Sequence, residues 1–417
     1  MSHSYSDNWT KLLVYFQNDE LAAKVWAEKY ALKSSKGNLI EFTPEDMHKR
    51  LAKEFYRIEK KYVKNELKNE NLSEYGKERK PLTYKTILNL FNEFKYLIPQ
   101  GGVMANLGAK SQFSSLSNCV VIPDVFDSYG GILFSDQQLA QLFKRRCGVG
   151  LDISSLRPAH EDVQNSAITT SGAVSFMERF SNTTREVAQQ GRRGALMITM
   201  DVRHPEILEF IHSKKDLNKI TGANISVKIT NDFMQSVQEN KSFVLQWPVD
   251  AINPKLKKEV KAKDVWNQII NSAHSSGEPG ILFWDQQHAY STSSIYPQFK
   301  NTSTNPCSEI AMQGGDSCRL MAINLYSFVE SPFRKTAKFN FEKLYEIAYE
   351  GMRLMDDLVD LELEHITTIL EKINSDSQPL YIKDAEKRTW ELLYENCIEG
   401  RRVGLGFTGL ADALAAL

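Results

Sequence analysis

The sequence predicts an α/β fold preceded by a helical segment, and two patterns carry that expectation. Over the first hundred residues apolar positions recur at helical spacing. From about residue 115, short apolar runs alternate with amphipathic stretches, the order that builds a sheet with substantial parallel pairing. The scale fits: 417 residues, 42% hydrophobic and 25% charged, are ordinary proportions for a globular chain. At roughly 100–200 residues per domain, the length allows two to four domains or one large barrel-like domain with appendages.

The elements follow in order. Thr43-Pro44-Glu45-Asp46 offers a hydroxyl cap, a proline at the first helical position and acids in the first turn. Met47, Leu51, Phe55, Ile58 and Tyr62 then form one apolar stripe. Lys64 to Lys80 is polar with mixed signs and reads as a solvated helix end and loop. Beyond it, Cys119–Ile122 is a short apolar run, and Ser135 is placed to cap a helix carrying Leu139, Leu142 and Phe143. Strands are expected at 150–153, 195–202, 225–229, 243–247 and 281–284. Helices are expected at 174–189 (ending at Gly191), 204–214, 232–238, 266–273 and 341–372.

Composition excludes several classes. Lys and Arg total 51 against 52 Asp and Glu, a net charge of −1, so no global basic field favours nucleic acid or an anionic membrane. No apolar run approaches the roughly 20 residues that span a bilayer. The N-terminus has no basic segment followed by an apolar one, which reads as a cytoplasmic protein. The five cysteines, at 119, 147, 307, 318 and 397, are odd in number, scattered and without a C-x2-C pair. They suit core packing or redox and radical chemistry better than a disulfide framework or a zinc site.

Two local motifs are set aside. Gly404-Leu405-Gly406-Phe407-Thr408-Gly409 fits G-x-G-x-x-G but has no following unit to complete a dinucleotide fold. Glu362-x-x-His365 has the spacing of a carboxylate-bridged metal motif without a second copy, and reads as a solvated helix face. No metal ligand set is expected.

The most unusual stretch is Asn305-Pro306-Cys307-Ser308-Glu309, followed by Gly314-Gly315-Asp316-Ser317-Cys318. In an extended segment 305, 307 and 309 share one side, yet they spread over about 13 Å. Meeting one small sugar therefore requires a curled loop, which Pro306 and the glycine pair permit. An amide, a thiol and a carboxylate suit hydrogen bonding, sulfur chemistry and general-base work. The alternative is a strand end with a buried cysteine and an exposed glutamate.

This loop resembles the catalytic finger loop of ribonucleotide reductase catalytic subunits, and the resemblance extends over roughly residues 90–417. Ser115-Leu116-Ser117-Asn118-Cys119 resembles the strand bearing the first redox cysteine. Cys147 to Pro158 resembles the entry to specificity loop 1, Gln189 to Ala195 loop 2, and Cys318 to Leu325 the strand of the second redox cysteine. The implied fold is a helical domain over 1–95, then the first part of a ten-stranded α/β barrel with a central finger loop over 96–417. Implied roles are a thiyl radical on Cys307 that takes the ribose 3′ hydrogen, Glu309 for the 3′-hydroxyl proton and Asn305 on the sugar. Cys119 and Cys318 form the reducing pair, and Cys147 and Cys397 are left for packing. Ser117, Asn118 and Arg193 match substrate positions; Asp127, Ser128, Arg157, Gln190 and Arg192 match effector positions.

The style of Arg146–Pro158 and Asp316–Leu325 is similar to adenosylcobalamin-dependent reductases, with a metal-containing radical-generating small subunit as the alternative. A deoxynucleoside triphosphate or ATP is the implied specificity effector, and no segment resembles the ATP cone of activity regulation. The resemblance further implies a C-terminal half carrying the later strands, a homodimer of the completed subunit and a thioredoxin- or glutaredoxin-type reductant. No membrane or nucleic-acid partner is expected. The apolar end Leu410–Leu417 reads as one half of a split or intein-interrupted subunit, or a truncated chain. A non-catalytic nucleotide-binding fragment is the competing class.

Overall fold

The computed structural model describes residues 2–64, 74–78, 80–110, 112–187 and 194–417. Among the described residues there are fourteen strands: β1 (Leu97–Pro99), β2 (Cys119–Val121), β3 (Gly148–Asp152), β4 (Leu196–Asp201), β5 (Asn224–Ile229), β6 (Ser242–Trp247), β7 (Leu256–Lys261), β8 (Gly280–Phe283), β9 (Ser303–Thr304), β10 (Ala311–Met312), β11 (Asp316–Asn324), β12 (Val329–Glu330), β13 (Lys338–Phe339) and β14 (Val403–Thr408). They fall into two compact units, 1–118 with 318–376 and 397–417, and 119–317 with 377–396.

The first unit is mainly helical. Pro44 opens the helix Pro44–Lys64 as expected, and the Asp46 carboxylate accepts from the backbone N–H groups of Phe42 and Thr43. Met47, Leu51, Phe55 and Ile58 are fully buried, each contributing roughly 1.5–3 kcal/mol by leaving water. Tyr62 packs at the edge of the same core. The long helix Phe341–Ser375 lays Leu354, Leu358 and Leu361 into it. β11 pairs antiparallel with β1 (Leu97↔Ile323) and parallel with β14 (Arg319↔Val403 to Asn324↔Thr408). The G-x-G-x-x-G segment is thus largely a strand, with Gly409 turning in the left-handed region at φ +70°.

The second unit is the α/β part. β2, β3, β4, β5 and β8 are parallel neighbours in that order, joined by helices Tyr129–Phe143, Met177–Glu186, Ile207–His212 and Ala262–Ser276. Parallel strands need such crossovers, and the expected alternation is what supplies them. One expectation is corrected, and one element had not been anticipated. The first crossover helix begins at Tyr129, capped by Ser128, whose hydroxyl accepts from Gly131 N–H; Ser135 lies buried within it. β7, of sequence LKKEVK, pairs with β6 in a hairpin that the polar sequence concealed. Most of the Lys64–Lys80 stretch and the expected helix end at Gln189–Gly191 lie outside the described residues. Among the described residues, no helix is long and apolar enough to cross a membrane.

Candidate active site

The loop 303–312 is built from two short strands, β9 and β10, paired antiparallel at Thr304↔Ala311 and Ser303↔Met312. Between them the chain curls tightly. The Asn305 N–H and the Thr304 hydroxyl both donate to the Ile310 carbonyl, at 3.3 and 2.9 Å. The Ile310 N–H returns a bond to the Asn305 side-chain oxygen at 3.1 Å. Ser308 takes φ +65°, a region non-glycine residues seldom occupy, and its N–H donates to the Asn305 carbonyl at 3.0 Å. The glycine pair is not what closes the curl. Gly315, at φ +81°, instead donates its N–H to Val121 at 2.7 Å.

The curl gathers three of the expected residues. Asn305 Nδ2 lies 2.5 Å from Glu309 Oε2 and 3.2 Å from Cys119 Sγ. The Cys119 thiol in turn reaches Glu309 Oε1 at 3.6 Å. Asn305 and Cys119 are buried, whereas Cys307 and Glu309 are exposed. The alternative of a strand end with a buried cysteine therefore does not hold for Cys307, which stands open at the loop tip. A carboxylate oriented by an amide and a thiol can still accept a hydrogen bond from a bound hydroxyl.

Neighbouring strands hold the loop. β3 passes so close that a Cβ on Gly150 would lie 1.7 Å from the Thr304 carbonyl oxygen, so only glycine fits there. Asn224 Nδ2 donates to the Pro306 carbonyl at 3.2 Å. Neither residue was singled out from sequence; a glycine inside a strand, the usual mark of a close backbone approach, was the available signal for Gly150.

Cys318 sits in the other unit, fully buried on β11, its thiol 3.6 Å from the Arg319 carbonyl. A Cβ on Gly404 would lie 3.5 Å from that sulfur. Cys147 and Cys397 are buried, and Arg319 Nη1 donates to Cys397 Sγ at 3.2 Å.

Glu362 corrects an expectation. It is no solvated helix face: only 1% exposed, it accepts from the Ser115 hydroxyl at 2.5 Å, the Leu116 N–H at 2.6 Å and the Ser117 hydroxyl at 2.9 Å. One turn on, the His365 Nδ1 bonds the Ser114 carbonyl at 2.8 Å. Asn118 Oδ1 accepts from Gly102 N–H at 2.8 Å. The motif therefore fixes Ser114–Ser117, the segment that leads into Cys119. The missed signal lay in the helix pattern: Glu362 falls midway between buried Leu358 and Ile366 at i±4.

A second pocket, of about 220 Å³, is lined by Asp127, Ser128, Ile132, Leu156, Arg157 and Phe176 among others. It brings together three expected effector residues. Asp127 accepts from Arg157 Nε at 2.8 Å and from its backbone N–H at 3.1 Å, while Arg157 Nη1 donates to the Asp162 carbonyl at 2.6 Å. A helix N-terminus beside an arginine favours an anion such as phosphate. Gln190, Arg192 and Arg193 lie outside the described residues. A larger cavity, of about 870 Å³, opens beyond the C-terminal ends of β3, β4, β5 and β8, lined by Asp152, Asp201, Lys228 and Trp284 among others.

Comparison with known proteins identifies the family. Residues 117–417 match the family model described as ribonucleotide reductase, barrel domain. The chain is 30% identical to a vitamin B12-dependent ribonucleoside-diphosphate reductase of Thermoplasma acidophilum, over 95% of this chain and 52% of the relative. It is 29% identical to one of Mycobacterium tuberculosis, over 77% of this chain and 41% of the relative. The ribonucleoside-diphosphate reductase large chain of Neurospora crassa is 25% identical, over 72% and 32%. The chain thus spans about half the length, or less, of these relatives. With an α/β fold and a family model covering 117–417, the chain belongs to the ribonucleotide reductase barrel-domain family.

Proposed function

We propose that this chain is the N-terminal portion of a ribonucleotide reductase catalytic subunit, which reduces ribonucleotides to 2′-deoxyribonucleotides for DNA synthesis through a thiyl radical on Cys307. The observation that carries this reading is the cluster of Asn305, Glu309 and Cys119 around the curl, with Cys307 exposed at its tip. In this reading 1–95 is a helical domain and 96–417 the first part of a ten-stranded α/β barrel, completed by a C-terminal half. The completed subunit works in the cytoplasm as a homodimer, and a thioredoxin- or glutaredoxin-type protein re-reduces it.

Each residue then has a task. The Cys307 sulfur removes the 3′ hydrogen atom, while Glu309 accepts the 3′-hydroxyl proton and Asn305 hydrogen-bonds the sugar. The 2′-hydroxyl leaves as water. Cys119 and Cys318 supply two electrons and two protons and end as a disulfide, so the hydrogen returned to the 3′ carbon restores Cys307 as the thiyl. Ser117, Asn118 and Arg193 are assigned to substrate binding. Asp127, Ser128, Arg157, Gln190 and Arg192 hold the specificity effector, a deoxynucleoside triphosphate or ATP.

Adenosylcobalamin is the radical source that the names of the T. acidophilum and M. tuberculosis relatives support. An exposed thiol at the loop tip suits that source, because an initiating radical can reach it. When bound, the cofactor supplies the one-electron oxidation of the Cys307 thiol. Reconstitution with the C-terminal half tests the assignment. Activity with adenosylcobalamin alone is expected, and turnover that needs a separate metal-containing small subunit would contradict the radical source. A Cys119–Cys318 disulfide, found by peptide mapping after one turnover without reductant, is the expected product; its absence would remove that pair from the mechanism.

A further inference from the structure

We propose that the buried Lys228–Asp152 ion pair is a positioning element for the finger loop, fixing the register at which Asn305, Cys307 and Glu309 are presented. This rests on reading that loop as the reductase site.

Three adjacent parallel strands converge on the root of the loop. β5 contributes Lys228, β3 Asp152 and β4 Thr199, all buried. Lys228 Nζ lies 2.8 Å from Asp152 Oδ2 and donates to the Thr302 carbonyl at 3.3 Å. The same carboxylate oxygen accepts from the Thr199 hydroxyl at 2.7 Å, and Thr199 Oγ1 lies 2.9 Å from Ser303 Oγ. Asp152 Oδ1 is occupied by the Ser154 N–H at 2.9 Å. Thr302 by its backbone and Ser303 by its side chain therefore both depend on one ion pair, immediately before Thr304 and Asn305.

β9 is only two residues long, so its own ladder fixes register weakly. A slip of one residue would turn every side chain to the opposite face and take Asn305 away from Glu309 and Cys119. Apolar residues of equal volume would fill the site at similar or better stability, but they would not distinguish one register from the next. Burial works against the Lys228 ammonium, yet the charges of Asp152 and Asp201 outweigh it and hold its pKa above the usual lysine range. The anchor therefore keeps its charge across the physiological pH range.

Hydrogen exchange on the 417-residue chain tests this. In Lys228→Met the segment 303–312 should exchange about tenfold faster, while the β6–β7 hairpin keeps its parent rate. Thr199→Val and Ser303→Ala cut the same links without unpairing a buried charge, and should speed the loop about threefold; they decide the matter if Lys228→Met does not fold. In the enzyme completed with its C-terminal half, Ser303→Ala should lower kcat about tenfold or more with little change in KM, the mark of misplaced reacting groups. Unchanged exchange at 303–312 in the folded variants, or an increase spread evenly over the chain, would overturn the proposal. Cys307→Ala separates the two levels. If that variant is inactive while the anchor variants leave the loop unmoved, the anchor fails and the function stands. If it is fully active, the functional reading itself fails.

Discussion

Asn305 donates its side-chain amide to the Glu309 carboxylate at 2.5 Å, four residues further along the chain. That bond needs the curl, and it leaves Glu309 exposed to a ligand while its amide partner stays buried. Glu309→Gln keeps the shape and removes the base. The expected result in the completed enzyme is a kcat lower by about 10²–10⁴ with KM nearly unchanged, measured by steady-state kinetics. A loss confined to KM would assign Glu309 to binding alone.

Glu362 joins the long helix to Ser115, Leu116 and Ser117 through three hydrogen bonds. Glu362→Ala strands those donors in a buried site, where each unsatisfied group costs about 1–3 kcal/mol. A loss of about 3 kcal/mol or more in urea unfolding is expected. Glu362→Gln, whose amide oxygen can still accept, should lose clearly less. Equal losses would mean that the carboxylate serves packing and not these donors.

Acid should destabilise the fold through two buried histidines. His48 is core-buried against Phe94, and burial, then the Arg50 charge, lowers its pKa to about 4. His204 is lowered by burial; its Nδ1 accepts from Glu206 N–H at 3.1 Å, a bond that protonation destroys. The unfolded chain takes up these protons first, so stability is complete above about pH 6.5 and falls as pH drops toward 4. At pH 5 His48 alone should cost on the order of 2 kcal/mol. Urea midpoints at pH 7 and pH 5 measure the fall, and His48→Leu should flatten it. An identical fall in His48→Leu would acquit that residue.

Arg157 is held by Asp127 at the mouth of the small pocket, beside the capped start of the helix Tyr129–Phe143. Arg157→Ala should weaken binding of a deoxynucleoside triphosphate to the chain by about tenfold to a hundredfold, the worth of one charged hydrogen bond. Calorimetric titration reads this directly. Unaltered affinity would move the effector site elsewhere.

The sequence was most legible where one physical constraint dominates. The stripe from Met47 to Ile58 has a single face to bury, and the parallel strands have to alternate with helices. It was least legible where the determining partner lies far along the chain. Glu362 looks like a surface acid until its donors, nearly 250 residues earlier, are in place. β7 is written in lysine and glutamate because its side chains are largely exposed, so no apolar alternation announces it. Tyr129-Gly130-Gly131 reads as loop by propensity, and only the Ser128 cap explains a helix starting there. For the finger loop the residue types were readable from sequence. The closure of Asn305 onto Ile310, and the anchoring by Gly150, Asn224 and Lys228, depend on strands distant in sequence.

The most direct test of the account is ribonucleotide reduction by the complete enzyme carrying Cys307→Ala. With the C-terminal half, adenosylcobalamin and a dithiol reductant present, the parent should form 2′-deoxyribonucleotide. The variant should form none above background while unfolding at the same urea concentration as the parent. Undiminished deoxyribonucleotide formation by Cys307→Ala would contradict the account.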